Sequence, residues 1–483
     1  MLIWQSFQRA NERAYRTLSN PPVALGIGTA VALAFLIATI LLLGHRSLWL
    51  DEFFSAAFAS ADQPFFKAMA ESIATDSQPP LYYSLLHFWI AWFGDGAQAM
   101  RSANFLGFIL LGAAMIYSWR MPMSRAVWAV FWLLLFSSRF VWDFATEARS
   151  YFLTLSTTSL LTVVGYNIAM RISAGKAVDT LSIVLLAIGS LIAGGLHYFG
   201  FIFSGSLIAA LFGYALIAKQ KKAALILFGV GALALAAEGA WIAYSLPRLW
   251  FDANHFWLRF DPLFDTRVFI TSVFSSNLLI IALVVIAIAL RYRALLNNRP
   301  ILVLGTAFML GCVASLAISI KQPMFYHRYL SVYTPVVLFV SSYILLRGLP
   351  RIATVATLAA ALLISLPIAV SRSLPHRQDW QGAMSYIEDH YGTKCDTARF
   401  MTVHYRARDI ILRYLGRGRN WTTVPFNQAG FDQAAHLSCP VIAWASTVSL
   451  EDAKNRLSEV DLRGHEVAIV PFEGVFLVVA NDP

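Results

Sequence analysis

About eleven stretches of roughly 17 to 25 residues, nearly free of charge, divide the first 370 residues of this chain. They lie near 22–44, 102–119, 126–142, 150–170, 178–195, 198–218, 223–246, 268–290, 300–320, 329–346 and 351–370. In lipid every backbone polar group must be satisfied within the segment, so runs of this length are helices that cross a membrane. Composition agrees: 58% of the residues are hydrophobic and 13% are charged, against about a quarter charged in a soluble domain. The run from Pro21 to Gly44 is too long for a signal-peptide core, and more spans follow it, so it reads as a retained helix. The net charge of +10 could suggest a nucleic-acid partner. The basic residues instead sit in short clusters between apolar runs, where they act as topology signals, and nucleic acid is excluded as a partner. Three cysteines without a CxxC pair support neither a disulfide scaffold nor a zinc site.

One further run, "PPLYYSLLHFWIAWFG" from Pro79, is short and opens on two prolines. If it does not cross, the N-terminal Arg9, Arg13 and Arg16 fall on the cytoplasmic side. So do Arg120/Arg125, Arg171/Lys176, Lys219/Lys221/Lys222, Arg291/Arg293/Arg299 and Arg347/Arg351. If it crossed, every later cluster would face outward, against the positive-inside rule. It is therefore expected to lie along the outer interface, where Tyr and Trp favour the headgroup zone.

The same parity gathers the polar loops on the outer side. They are the long loop 45–100 with Asp51, Glu52, Asp76, Gln78 and Tyr82; "DFATEARSY" with Asp143, Glu147, Arg149 and Tyr151; "HYFG" at His197; "RLWFDANHFWLRFD" from Arg248; and "KQPMFYHRY" with Lys321, His327 and Arg328. Residues 1–370 form the membrane domain, and 371–483 are expected outside as a soluble α/β domain, because hydropathy falls and short alternating runs replace long ones. Cys395 and Cys439 lie in that tail, and a disulfide between them is chemically open in an oxidising compartment.

Carboxylates beside a membrane (Asp51, Glu52, Asp76, Glu147) can act as a general base or hold a divalent cation; Asp51, Asp76 and Glu147 are the metal candidates. Arg149, Lys321 and Arg328, with His197 and His327, are suited to phosphate. Each has a plainer reading. Asp51 and Glu52 could cap a helix start. Glu147 and Arg149 could pair with each other or with Arg139. His197 at a helix start could be a satisfied polar residue, and Lys321 and Arg328 could be interface anchors that snorkel. Taken together, acids and cations at the level of lipid headgroups suit a lipid-phosphate substrate. No P-loop, nucleophile elbow or HExxH occurs.

In order along the chain, "LWLDEFFS", "DSQPPLYYSLLHFWIAWFG", "MRSANFLG", "EARSYFLTLS", "HYFG" and "HRYLSVYTPVVLF" resemble the bacterial branch of the GT-C superfamily of membrane glycosyltransferases. This branch is similar to protein O-mannosyltransferases and to the aminoarabinose and galacturonic acid transferases of lipid A. The resemblance covers about residues 22–350. It implies an α-helical polytopic membrane protein of GT-C type, with about eleven spans and interfacial helices and a C-terminal extracytoplasmic α/β domain. It implies inverting transfer of a sugar from polyprenyl phosphate to an envelope glycan, lipid A or core, another lipid, or a protein, at the outer face of a bacterial cytoplasmic membrane. Asp51 would be the base and Glu52 would support it or the acceptor; Asp76, Gln78 and Tyr82, with Glu147 and Tyr151, would line the substrate or metal region. Arg149, His197, Lys321, His327 and Arg328 would meet the donor phosphate. The segment "DSQPPLYY" departs from relatives that carry His, or Glu-Lys, ahead of the proline. Where some relatives have an aspartate in the "EARSY" loop, this chain offers Glu147 and Arg149, so metal dependence stays open. The alternatives are a lipid transporter, which would favour a midplane site and repeat symmetry not visible in this chain, and a non-catalytic scaffold, which would not need acids and cations on separate loops.

Overall fold

A computed structural model describes residues 20–76, 78–251, 260–349, 357, 359–391, 397–402, 414, 420–435, 450–461 and 467–480. Among these, seven helices are long and apolar enough to cross a membrane, or nine if each of two bent pairs is one span. The count of eleven is not reached by length. The run near 178–195 is a 17-residue apolar helix, Thr180–Leu196, and the run near 351–370 is described mainly as the short helix Leu363–Ser373.

Two expected single spans are broken. The run 126–142 bends by 56° between Arg125–Phe136 and Arg139–Ala145. The run 268–290 turns by 101° between Pro262–Val273 and Leu278–Leu290. At that corner Ser275 and Ser276 take φ of 50° and 58°, a conformation uncommon outside glycine. Polar groups stabilise it: Ser275 Oγ donates to the Ser137 carbonyl at 2.6 Å, and Asn277 Nδ2 donates to the Ala360 carbonyl at 3.1 Å. Within the run the polar stretch Ser275-Ser276-Asn277 marks the place of the corner, but the groups it bonds, the Ser137 and Ala360 carbonyls, lie in distant segments.

The helix Tyr151–Ser173 is the axis of the bundle, 94% of its spanning window being buried. It packs against Phe105–Trp119, Thr180–Leu196, Tyr198–Ile217 and Arg299–Ser319. Its buried hydroxyls bond to its own carbonyls one turn back: Thr154 to Ser150 at 2.8 Å, Ser156 to Phe152 at 2.7 Å, and Thr162 to Thr158 at 2.7 Å. Small, self-satisfied side chains let neighbouring helices come close, the usual basis of packing in lipid. At the end away from the acidic loop, buried Tyr117 and Ser182 and half-buried Asn167 and Asp179 form a polar knot, with the Tyr117 and Ser182 hydroxyls 2.6 Å apart.

Loop 45–100 folds into short helices, Leu50–Phe58, Phe65–Thr75 and Leu81–Phe93. The last has 13 residues, about 20 Å of helix against a hydrocarbon core of about 30 Å, so it does not span. It buries Tyr82, Tyr83, Leu86 and Ile90 and exposes Phe88, Trp92 and Phe93, as an interfacial helix should.

After helix Leu366–Ser373, the strap 374–379 leads into helix Trp380–Tyr391 and four strands. Strands β1 (Thr397–Thr402) and β2 (Asn420–Pro425) pair in parallel. Strands β3 (Val467–Phe472) and β4 (Val475–Ala480) form an antiparallel hairpin. The apolar faces of this region and of loop 45–100 share one core, in which Leu48, Phe53, Tyr83, Met100, Trp380, Met384 and Leu477 are buried together. Cys395 and Cys439 lie outside the described residues.

Candidate active site

The adjacent carboxylates Asp51 and Glu52 open the helix Leu50–Phe58. Neighbours on a helix are turned about 100° apart, so one can face water while the other faces the core. The Glu52 side chain is fully buried, and the Asp51 side chain is 34% exposed.

Glu52 accepts Arg101 Nε at 2.8 Å and Nη2 at 2.7 Å, and also the Ala148 amide at 2.7 Å. Arg101 spends its remaining donors on the carbonyls of Leu43 (2.8 Å), Arg46 (2.7 Å) and Ser47 (3.0 Å). A bidentate guanidinium–carboxylate pair thus ties together the end of the first span, the acidic helix and the loop before the axial helix. Glu52, expected to support Asp51 or the acceptor, lies behind Asp51 and away from solvent. Its oxygens are occupied and closed to solvent.

Glu147 is buried beneath two further guanidiniums. Arg328 Nη2 donates to its Oε2 at 2.8 Å, and Arg377 pairs with its Oε1. Burial alone would raise its pKa, but Arg377, Arg328, Arg46 and Arg101 outweigh that and hold the carboxyl below its usual range. Arg328 lies over the rings of Tyr151 at 4.8 Å and Trp49 at 4.9 Å, and Arg377 over Trp49 at 4.8 Å. Arg149 Nε stands 4.0 Å from the Asp51 carboxylate, and its Nη1 donates to the Asp51 carbonyl at 3.2 Å. The same Nη1 is 3.5 Å from the Tyr83 hydroxyl, which donates to Asp76. Burial, reinforced by Asp76, raises the Tyr83 phenol so that it stays protonated.

His197 sits in the break between two helices, with Nδ1 accepting the Phe199 amide at 3.1 Å. The Tyr151 and Tyr329 rings flank it at 5.5 and 5.1 Å. Burial, then Arg149 and Arg328, push its pKa down to about 3, so the imidazole is neutral at physiological pH.

Not every expected residue joins the cluster. His327 Nδ1 is 2.8 Å from Asp265 on the sideways helix Pro262–Val273, and its amide donates to the same oxygen at 3.1 Å. Lys321 is exposed in the turn after Arg299–Ser319. The metal candidates do not form one donor set. Asp51 faces Arg149, Asp76 takes the Tyr83 hydroxyl and Glu147 lies under Arg328 and Arg377. Among the described residues no three His, Cys, Asp or Glu side chains gather to hold a metal ion.

The cluster also holds residues that sequence reasoning missed: Arg46, Trp49, Tyr83, Arg101 and Arg377. Arg101 and Tyr83 lay inside motifs singled out for other members, and Arg46 and Trp49 stand just before the acidic pair. Arg377 carries no local signal, since only chain closure brings it beside Glu147. Within the connected network, six guanidiniums (Arg46, Arg101, Arg139, Arg149, Arg328, Arg377) meet five carboxylates (Asp51, Glu52, Asp76, Asp143, Glu147). The site therefore carries an excess of one positive charge. Six buried polar atoms around it have no hydrogen-bond partner among the described residues: Trp49 Nε1, Gln78 Oε1, Tyr82 Oη, Arg149 Nε, His197 Nε2 and Arg328 Nε. Orphaned polar groups are costly and rare in native proteins, and a cluster of them marks where a ligand would supply the missing bonds.

No protein-family model matches the chain, and no curated protein matches it by sequence. Its fold does match solved structures. ArnT from Cupriavidus metallidurans in the apo state aligns with a TM-score of 0.59 at 13% identity, over 94% of this chain and 97% of that one. ArnT bound to undecaprenyl phosphate aligns with a TM-score of 0.55 at 14% identity, over the same shares. An archaeal oligosaccharyltransferase, AglB from Archaeoglobus fulgidus, aligns more loosely, with a TM-score of 0.41 at 12% identity. The chain is a multi-pass membrane protein that shares the fold of ArnT.

Proposed function

We propose that the protein is an integral-membrane glycosyltransferase. It moves a sugar from a polyprenyl-phosphate donor to a hydroxyl-bearing acceptor, an envelope glycan, lipid or protein, at the outer face of a bacterial cytoplasmic membrane. One observation carries the reading: a half-open carboxylate, Asp51, stands beside a buried cationic cluster in which three donors, Arg149 Nε, Arg328 Nε and Trp49 Nε1, have no partner among the described residues. The shared architecture with ArnT, which was solved with undecaprenyl phosphate, supports it.

In this reading the donor phosphate meets Arg328 and Arg149, whose Nε groups have no partner among the described residues, and the Trp49 indole N–H. A donor phosphodiester carries one negative charge, the excess the network leaves. The acceptor hydroxyl arrives from water at Asp51. As its oxygen bonds the anomeric carbon, its proton passes to Asp51. The bond from that carbon to the phosphate oxygen breaks with its electron pair, on the opposite face, inverting the centre. The guanidiniums stabilise the charge that grows on the leaving phosphate, and they do so most strongly where water is excluded. Tyr151 and Tyr329 shape the pocket beside neutral His197. Glu52 acts as a positioning residue that holds Asp51 in place.

The test is transfer from a radiolabelled polyprenyl-phosphate sugar, with native mass spectrometry of co-purifying lipid. Asp51→Asn should retain the charged donor and lose transfer by at least about a hundredfold, the usual size of a base effect. Near-normal transfer in Asp51→Asn would remove Asp51 from the base role. Ordinary phospholipid alone, in wild type and variant, would overturn the donor reading.

A further inference from the structure

The strap 374–379 enters the acidic site from the far end of the chain. Its side chains cap the helix that carries Asp51: the Ser47 amide donates to His376 Nδ1 at 2.9 Å, and the Leu50 amide donates to Gln378 Oε1 at 2.8 Å. Between these two caps stands Arg377. The strap is held by the β3–β4 hairpin turn, where the Asp379 amide donates to the Glu473 carbonyl at 2.7 Å and the His376 amide to the Glu473 carboxylate at 3.0 Å. Gly474 has φ +65°, and a Cβ there would lie 2.0 Å from the Arg377 carbonyl oxygen.

Arg377 and Arg328 take one oxygen each of Glu147 and lie at nearly equal distance from the Trp49 ring, 4.8 and 4.9 Å. They form a two-guanidinium jaw across an indole whose N–H has no partner among the described residues. A single carboxylate neutralises only half of their charge. The other acid near Arg377, Asp143, is 4.0 Å away and is held more closely by Arg139 at 3.2 Å. Arg328 is 9% exposed and Arg377 27%, so Arg377 is the more open half of the jaw.

We propose that Arg377 is a phosphate-binding residue of the donor site, delivered by the strap, so that the C-terminal hairpin forms part of that site. The proposal rests on the polyprenyl-phosphate reading above. One guanidinium partly open to water accounts for roughly ten- to hundredfold in affinity through a charge-assisted hydrogen bond.

The test uses the full-length protein in lipid nanodiscs, with undecaprenyl phosphate and its uncharged counterpart undecaprenol as probes. Arg377→Gln should weaken undecaprenyl phosphate at least about tenfold and leave undecaprenol unchanged, with Arg377→Lys falling between. Gly474→Ala keeps Arg377 but displaces its backbone, and should weaken the phosphate probe selectively as well. Unchanged phosphate binding in Arg377→Gln overturns the proposal. Equal loss of both probes overturns it too, since Arg377 would then only brace the fold. If the wild type binds neither probe, the donor reading fails and this proposal falls with it.

Discussion

Glu52→Gln separates the two carboxylates that the sequence presents as a pair. The substitution keeps the shape of the side chain and removes its charge. Gln offers one acceptor oxygen and one donor nitrogen, while the site presents four donors: Arg101 Nε, Arg101 Nη2 and the amides of Ala148 and Trp49. At least one of these is left facing another donor in a place closed to water. Both partners of the ion pair are at most 1% exposed, so solvent does not screen the loss. Breaking a buried pair from one side costs about 3–5 kcal/mol. Hydrogen exchange in peptides covering 144–150 reads this directly. The Ala148 amide should lose roughly two to three orders of magnitude of protection, because each 1.4 kcal/mol is about tenfold. The double variant Glu52→Gln/Arg101→Met should regain part of it, since no buried charge remains unpaired. Asp51→Asn should leave Ala148 protection unchanged. Glu52→Gln with native protection, native melting and lost transfer would refute the reasoning and return Glu52 to the reacting atoms.

Transfer by Asp51→Asn and probe binding by Arg377→Gln are expected to fall as given above, by at least about a hundredfold and about tenfold. His197 titrates far below an unfolded histidine, so the unfolded chain binds more protons between pH 6.5 and about 3, and stability falls as pH drops through that window. From pH 7 to 5 the loss should be about 2 kcal/mol, and a His197→Gln variant should show a flatter melting profile over that range. Gly107 packs its Cα against the fully buried Phe152 ring, where an added Cβ would lie 2.7 Å away. Gly107→Ala should therefore destabilise the bundle by about 1–3 kcal/mol through overpacking, visible as a lower melting midpoint in detergent.

Much of the membrane frame was legible, because spanning length and charge asymmetry are properties of consecutive residues. The interfacial placement of Leu81–Phe93 followed from parity alone. The corner at Ser275 and Ser276 was marked by the polar stretch Ser275-Ser276-Asn277, but its angle was not legible, since it depends on Ser137 and Ala360 from other segments. The site was half legible. Carboxylates and cations on the right loops could be named, but whether each faces substrate, a neighbour or solvent depends on directions fixed only in the fold. Asp51 and Glu52 are adjacent and chemically alike, yet a 100° turn sends one outward and the other onto Arg101. His327 looked like a phosphate ligand and instead pins Pro262–Val273 through Asp265. Arg377, 325 positions beyond Glu52, shares no local pattern with the loops it completes.

The capping of helix Leu50–Phe58 by His376, Gln378 and Tyr414 also sets an order of events during biogenesis. Helices inserted early cannot present Asp51 in its final geometry, because the groups that hold its helix start are synthesised more than 300 residues later. The hairpin that seats the strap comes later still, at Glu473 and Gly474. Under the proposed function, an unfinished chain can be threaded through the bilayer and stay inert toward lipid-phosphate donors. Truncation before Glu473 would then yield an inserted protein whose strap has lost its seat and whose site is incomplete.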